Sequence, residues 1–180
     1  MNKAKKIVLL GILIALALAL HVSERMIPLP IVPVPGVKLG LANIVTLVAI
    51  FMLPFHEVFL FVIIRTTLSS IFGGGLSGFL FSLSGGLFSM LVMYLLARYL
   101  HRWLSLPAIS VIGALFHNIG QLLVAAFIVK TIGIMLYLPM LIAAAGLTGL
   151  AVGFTALMLL RALTRSQLIE VSEALLPLIG

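Results

Sequence analysis

Apolar residues fill this chain in long blocks, and the polar ones are confined mostly to the short intervals between them. The first block runs from Ile7 through Leu20 to about Met26, behind Lys3, Lys5 and Lys6. After a proline-rich connection, a short block from Leu39 to Leu53 stops at Pro54, and a third runs from Phe55 to Phe72 into Gly73, Gly74 and Gly75. The fourth covers Leu76 to Ala97, the fifth Ala108 to Val129, and the sixth Ile134 to Leu160 with Pro139 in its first turns. Blocks of about 20 apolar residues suit a helix crossing the hydrocarbon layer, whereas barrel strands are shorter and alternate apolar with polar. The pattern predicts an all-α integral membrane protein, a bundle of six transmembrane helices forming one domain over residues 1–163. Ala17-Leu18-Ala19 also has the form of a signal-peptide cleavage site, but the block continues far enough to span.

Residues 164–180 read differently. Leu168, Ile169, Val171 and Leu175 alternate with Gln167, Glu170, Ser172 and Glu173 at roughly helical spacing. This is the pattern of an amphipathic tail lying on the cytoplasmic membrane surface, or of a frayed end.

Composition agrees with the blocks: 63% of residues are hydrophobic, 8% are charged, and mean hydropathy is +1.37. Eleven Lys and Arg against four acidic residues give a net charge of +7. In a soluble protein that excess raises nucleic-acid binding, but here the basic residues sit at block ends, where they set topology. Lys3, Lys5, Lys6, Arg98, Arg102, Arg161 and Arg165 fall on one face of a six-span arrangement. The positive-inside rule makes that face cytoplasmic, with both termini inside and the chain multi-pass in the cell membrane. No nucleic-acid partner is expected; the lipid bilayer is. Arg25, Lys38 and Lys130 fall on the outer face.

Catalytic chemistry finds little footing. The chain has no cysteine, which removes thiolate nucleophiles and zinc-thiolate sites. It also has no aspartate, so the paired aspartates that hold Mg²⁺ against a diphosphate in ordinary prenyl transferases are missing. Gly73 to Gly75 lacks the Lys and Ser or Thr of a phosphate loop, and the four His form no ligand pattern. A non-enzyme without metal or cofactor is the expectation.

Polar residues inside the blocks are the better clues, because an ionisable group within a span is costly unless it is paired or faces a cavity. Arg65 lies about ten residues into the third block, too deep to snorkel easily. Glu24 is its plausible acidic partner, and the alternative is a ligand with anionic or carbonyl groups. In the fifth block, His117, Asn118 and Gln121 sit three and four residues apart, spaced either for interhelical hydrogen bonds or for ligand contact. Asn43 enters the second block, and Ser82, Ser84, Gly85 and Gly86 interrupt the fourth. His56 and Glu57 mark the inner turn. Gly11, Ala15 and Ala19 recur every fourth residue on the first block, a small-residue face that allows close approach of a helix from this bundle or from a partner.

The connection before the second block, IVPVPGVKLGLAN from Ile31 to Asn43, is stiffened by Pro33 and Pro35 and carries Lys38 between Gly36 and Gly40. It reads as an external lid over a pocket containing Asn43, Arg65, His117, Asn118 and Gln121, with Lys38 closing from above.

Taken in order, PGVKLGLANI, the Arg65 block ending in GGG, SLSGGLFS and ALFHNIGQ resemble the heptaprenyl diphosphate synthase component I family, also called the Gx transporter family. The resemblance covers about Ala15 to Phe154. That family is similar in size and span count to the substrate-binding S-components of energy-coupling-factor (ECF) transporters. The resemblance implies an S-component-like bundle with an outward ligand site under its first external loop, and a docking face at Gly11, Ala15 and Ala19. It further implies uptake of a small organic molecule, energised by a separate coupling protein and two ATPases. The family's other name implies a different role, a non-catalytic membrane component of heptaprenyl diphosphate synthesis feeding menaquinone production.

Overall fold

The computed structural model describes residues 3–25, 40–166 and 173–179. Every element among them is helical: α1 (Lys3–Arg25), α2 (Asn43–Met52), α3 (Phe55–Ser69), α4 (Gly75–Tyr99), α5 (Leu106–Val129) and α6 (Leu138–Arg165). Short turns of tighter or wider helix join or follow them: a π-helical turn at Ser70–Gly74 and 3-10 turns at Ile132–Tyr137 and Glu173–Leu178. Five of the apolar segments are long enough to cross a membrane, which makes this a membrane-embedded helical protein.

The sixth, α2, differs from the expected second span. Its ten residues rise only about 15 Å, roughly half of a hydrocarbon layer of about 30 Å. It is also the most enclosed element, with Asn43 and all of Val45 to Phe51 buried, and it packs against α1, α3, α4 and α6. A helix apolar on all sides belongs in the middle of a bundle. Pro54 ends it and starts α3.

Local chemistry fixes the other boundaries. Ser105 caps α5 by accepting from the Ala108 amide at 3.4 Å, with Pro107 in the first turn, so the helix begins two residues before the expected Ala108. Pro139 lies in the first turn of α6, as the sequence indicates, while the preceding residues wind as a 3-10 turn. At the triple glycine, the chain passes from π-helical turn to α4 through Gly75 at φ +57°, a conformation that a side chain disfavours.

Glycines bring α4, α5 and α6 close together. A Cβ on Gly120 would lie 2.9 Å from the Ser84 carbonyl oxygen, and one on Gly149 or Gly153 would lie 2.5 or 2.6 Å from the Cα of Val111 or Pro107. Helices that lack hydrophobic driving force in lipid associate through such backbone contact. Ser84 Oγ donates to Gly120 O at 2.8 Å and ties the α4–α5 crossing.

The end of the bundle where α1 starts also holds the last turns of α4 and α6, with Arg98 and Arg165. Lys6 Nζ pairs with Glu57 Oε1 at 2.7 Å, placing the start of α1 beside the Pro54 turn. Arg161 Nε donates to Ile179 O at 2.7 Å, and Leu175, Leu178 and Ile179 are buried in the core at that end. Residues 167–172, the centre of the expected amphipathic tail, lie outside the described residues. On α1, Leu13, Ala17, His21 and Glu24 face inward, whereas Gly11, Ala15 and Ala19 are exposed, and nothing lies within 4 Å of a Cβ built on Gly11. Among the described residues, this small-residue face is not covered by packing.

Candidate functional site

The end of the bundle away from Lys6 and Glu57 holds a cluster of buried polar side chains around a small cavity. Its walls are His21 and Glu24 from the last turns of α1, Gly40, Ala42 and Asn43 at the entrance to α2, Arg65 of α3, Ser82 of α4, and His117 and Gln121 of α5. His21 and Glu24 share a face at three-residue spacing, and His117 and Gln121 do so at four. The cavity leaves about 10 Å³ for the centre of a water molecule, room for roughly one water. An organic ligand needs it to widen.

Glu24 acts on Arg65 through its charge, and its carboxylate also clamps the chain at the entrance to α2. Its Oε1 accepts from the Gly40 amide at 2.6 Å and its Oε2 from the Leu41 amide at 3.2 Å. These amides precede α2, whose partial positive end favours a carboxylate. Gly40 makes the approach possible: its φ is +82°, and a Cβ there would come within 2.9 Å of Asn43 Nδ2 and 3.3 Å of His117 Cδ2.

Arg65 is 4% exposed and carries five N–H donors. Nη2 reaches Asn43 Oδ1 at 3.5 Å, a long contact, and Cζ lies 5.9 Å from the centre of the Phe61 ring. Its Nε has no hydrogen-bond partner among the described residues. The guanidinium has room because α4 carries glycine opposite it; a Cβ on Gly86 would lie 3.0 Å from Nη2. A buried cation with an unpartnered Nε beside a polar cavity is equipped to receive an anion or a carbonyl oxygen. Gly85 plays the same part for His117, where a Cβ would lie 2.9 Å from the ring. His117 Nε2 and Gln121 Nε2 are 3.0 Å apart, so the imidazole and amide orient each other.

Asn43, Arg65, His117 and Gln121 thus line one cavity, while Asn118 does not join them. Its Nδ2 donates to Leu141 O of α6 at 3.0 Å, and the residue is buried at that interface. The cause is angular: at 100° per residue, His117 and Gln121 differ by about 40°, but Asn118 is turned about 100° from His117. Asn118 thus makes an interhelical hydrogen bond, the other role that its spacing allows. Lys38 lies outside the described residues, as does most of the connection read as a lid. His21 and Ser82 join the site beyond the residues the sequence indicates, and Glu24, the expected acidic partner of Arg65, is coupled to it by charge while also serving the α2 entrance. Buried polar residues at i and i+3 near the end of α1 carried that signal.

No curated protein and no solved structure matches the chain. The model of heptaprenyl diphosphate synthase component I matches residues 13–159, a stretch that holds every residue around the Arg65 cavity, and the chain belongs to that family.

Proposed function

We propose that this chain is a non-catalytic, membrane-embedded component of a heptaprenyl diphosphate synthase, acting with a separate catalytic subunit in menaquinone biosynthesis. The family match over residues 13–159 carries this reading. The absence of any aspartate supports a non-catalytic part, because diphosphate chemistry on Mg²⁺ needs carboxylate ligands that this chain cannot supply as aspartate pairs. The test is reconstitution: the chain, in lipid vesicles, is mixed with the soluble polyprenyl diphosphate synthase of its own cell. Co-purification and a rise in chain-elongation rate are expected. A synthase that neither binds nor responds would remove this reading.

A second reading is favoured by the Arg65 cavity itself, namely an S-component-like subunit for uptake of a small anionic or strongly polar molecule. Its supports are the unpartnered Nε of Arg65 and the exposed Gly11, Ala15 and Ala19 face, which in this reading docks an ECF-type coupling protein that works with two ATPases. In this reading the positive-inside orientation puts the cavity on the outer side and both termini in the cytoplasm. Mass spectrometry of protein extracted from its own host distinguishes the two. A retained small molecule, lost in Arg65→Ala, supports uptake; protein that carries no small molecule counts against it.

A further inference from the structure

A second and larger cavity, of about 500 Å³, opens at the basic end of the bundle. It lies between the turn joining α4 to α5, the later turns of α6 and the C-terminal 3-10 turn. Four of its lining residues, Leu150, Phe154, Leu157 and Arg161, follow one another along α6 at steps of four, three and four. That spacing puts them in a single line on one helix face. The line is apolar for three residues and ends on a cation, and from Leu150 to Arg161 it extends roughly 16 Å.

The facing wall has the same polarity. It is formed by the first turn of α5, whose Ser105 to Ala108 segment carries the partial positive charge of a helix start, and His101 stands on the rim. Arg161 is steadied by its Nε bond to Ile179 O at 2.7 Å, and Pro177 and Leu178 close the remaining side. Trp103 and Tyr99, 84% and 75% exposed, sit on the adjoining turn and mark the depth of the membrane–water boundary. The cavity therefore straddles that boundary, with its cationic end at headgroup level and its apolar line running into the hydrocarbon.

We infer that this cavity is a binding site for an anionic membrane phospholipid, with one acyl chain along Leu150, Phe154 and Leu157 and the phosphate against Arg161 and His101. Charge complementarity selects the occupant. A zwitterionic lipid fills the apolar line equally well but offers no net charge to the cationic end, and a free phosphate ion leaves the apolar line uncovered.

The test uses the full chain, purified in detergent and titrated with phosphatidylglycerol and with phosphatidylcholine of identical acyl chains, adducts being read by native mass spectrometry. Phosphatidylglycerol is expected to bind about fivefold more tightly, the size of one basic side chain acting on an anionic lipid. Arg161→Gln should erase that preference while Arg161→Lys keeps it. Ala108→Trp, which fills the cavity without altering charge, should remove the phosphatidylglycerol adduct and serves if Arg161→Gln does not fold. Equal binding of both lipids by the native chain, or a phosphatidylglycerol adduct untouched by Ala108→Trp, overturns the inference. So does displacement of the lipid by an equal concentration of a prenyl diphosphate, which would assign the cavity to an isoprenoid.

Discussion

Glu24 at the end of α1 holds the backbone of Gly40 through a 2.6 Å hydrogen bond, sixteen residues along the chain and across the entrance of α2. The contact joins the first helix to the central one at the very place where the polar cavity lies. Glu24 also acts on Arg65 by its charge, while the guanidinium makes a long bond to Asn43. A carboxylate buried to 3% exposure that serves two amides is a structural clamp.

Glu24→Ala is expected to destabilise the bundle by about 1–3 kcal/mol, the cost of leaving buried donors unsatisfied. Glu24→Gln keeps one acceptor oxygen and should cost less. Thermal unfolding in detergent measures both, and an Ala variant as stable as the native chain would contradict the clamp.

Gly40→Ala should be destabilising in its own right, by about 1–3 kcal/mol, since the residue sits at positive φ and a Cβ would crowd Asn43 and His117. Its effect should not add to that of Glu24→Ala, because both loosen the same junction. A double-mutant cycle gives the answer.

Arg65→Ala should leave unfolding within about 1 kcal/mol of the native chain, because a buried cation with few partners returns little stability for its desolvation. Retention of an anionic or carbonyl-bearing ligand should fall tenfold or more, as for loss of a charged hydrogen bond worth about 1.5–3 kcal/mol. Strong destabilisation with unchanged ligand retention would reverse the assignment.

Asn118→Ala should do the opposite. Losing its bond to Leu141 O is expected to cost about 1 kcal/mol or somewhat more of stability while leaving ligand retention intact. Paired measurement of unfolding and retention in the two variants separates cavity from interface.

Ala15→Trp should not alter unfolding measurably, since Ala15 is exposed on a face that no other helix among the described residues covers. Association with a helical membrane partner should be lost, because a small-residue face works by close backbone approach. Co-purification with the coupling protein or the synthase reports it.

Much of the fold was legible because the dominant constraint acts locally. A backbone in lipid must satisfy its own hydrogen bonds, so each apolar block becomes a helix, and prolines and glycines such as Pro54, Pro139 and Gly75 fall near its ends. Block boundaries were therefore readable to within a few residues. The buried polar residues were readable too, since Arg65, Asn43, His117 and Gln121 stand out against apolar neighbours. The role of α2 was not: Leu39 to Leu53 looks like a short span in sequence, and only packing on four sides shows that it is a half-length central helix.

The sequence by itself determined that this is a helical membrane protein, which polar residues lie within its apolar segments, and which end collects the basic charge. These follow from composition and period, properties of one stretch of chain at a time. Only the tertiary structure decided which of those polar residues meet. It turned Asn118 toward α6, drew His21 and Ser82 into the cavity wall, set the Glu24 carboxylate on the Gly40 and Leu41 amides within reach of the Arg65 charge, and left Arg65 Nε without a hydrogen-bond partner among the described residues. The reason is geometric: helical spacing fixes the angle between residues on one helix, but the rotation of each helix against its neighbours is set by where glycines such as Gly86 and Gly120 let the helices close.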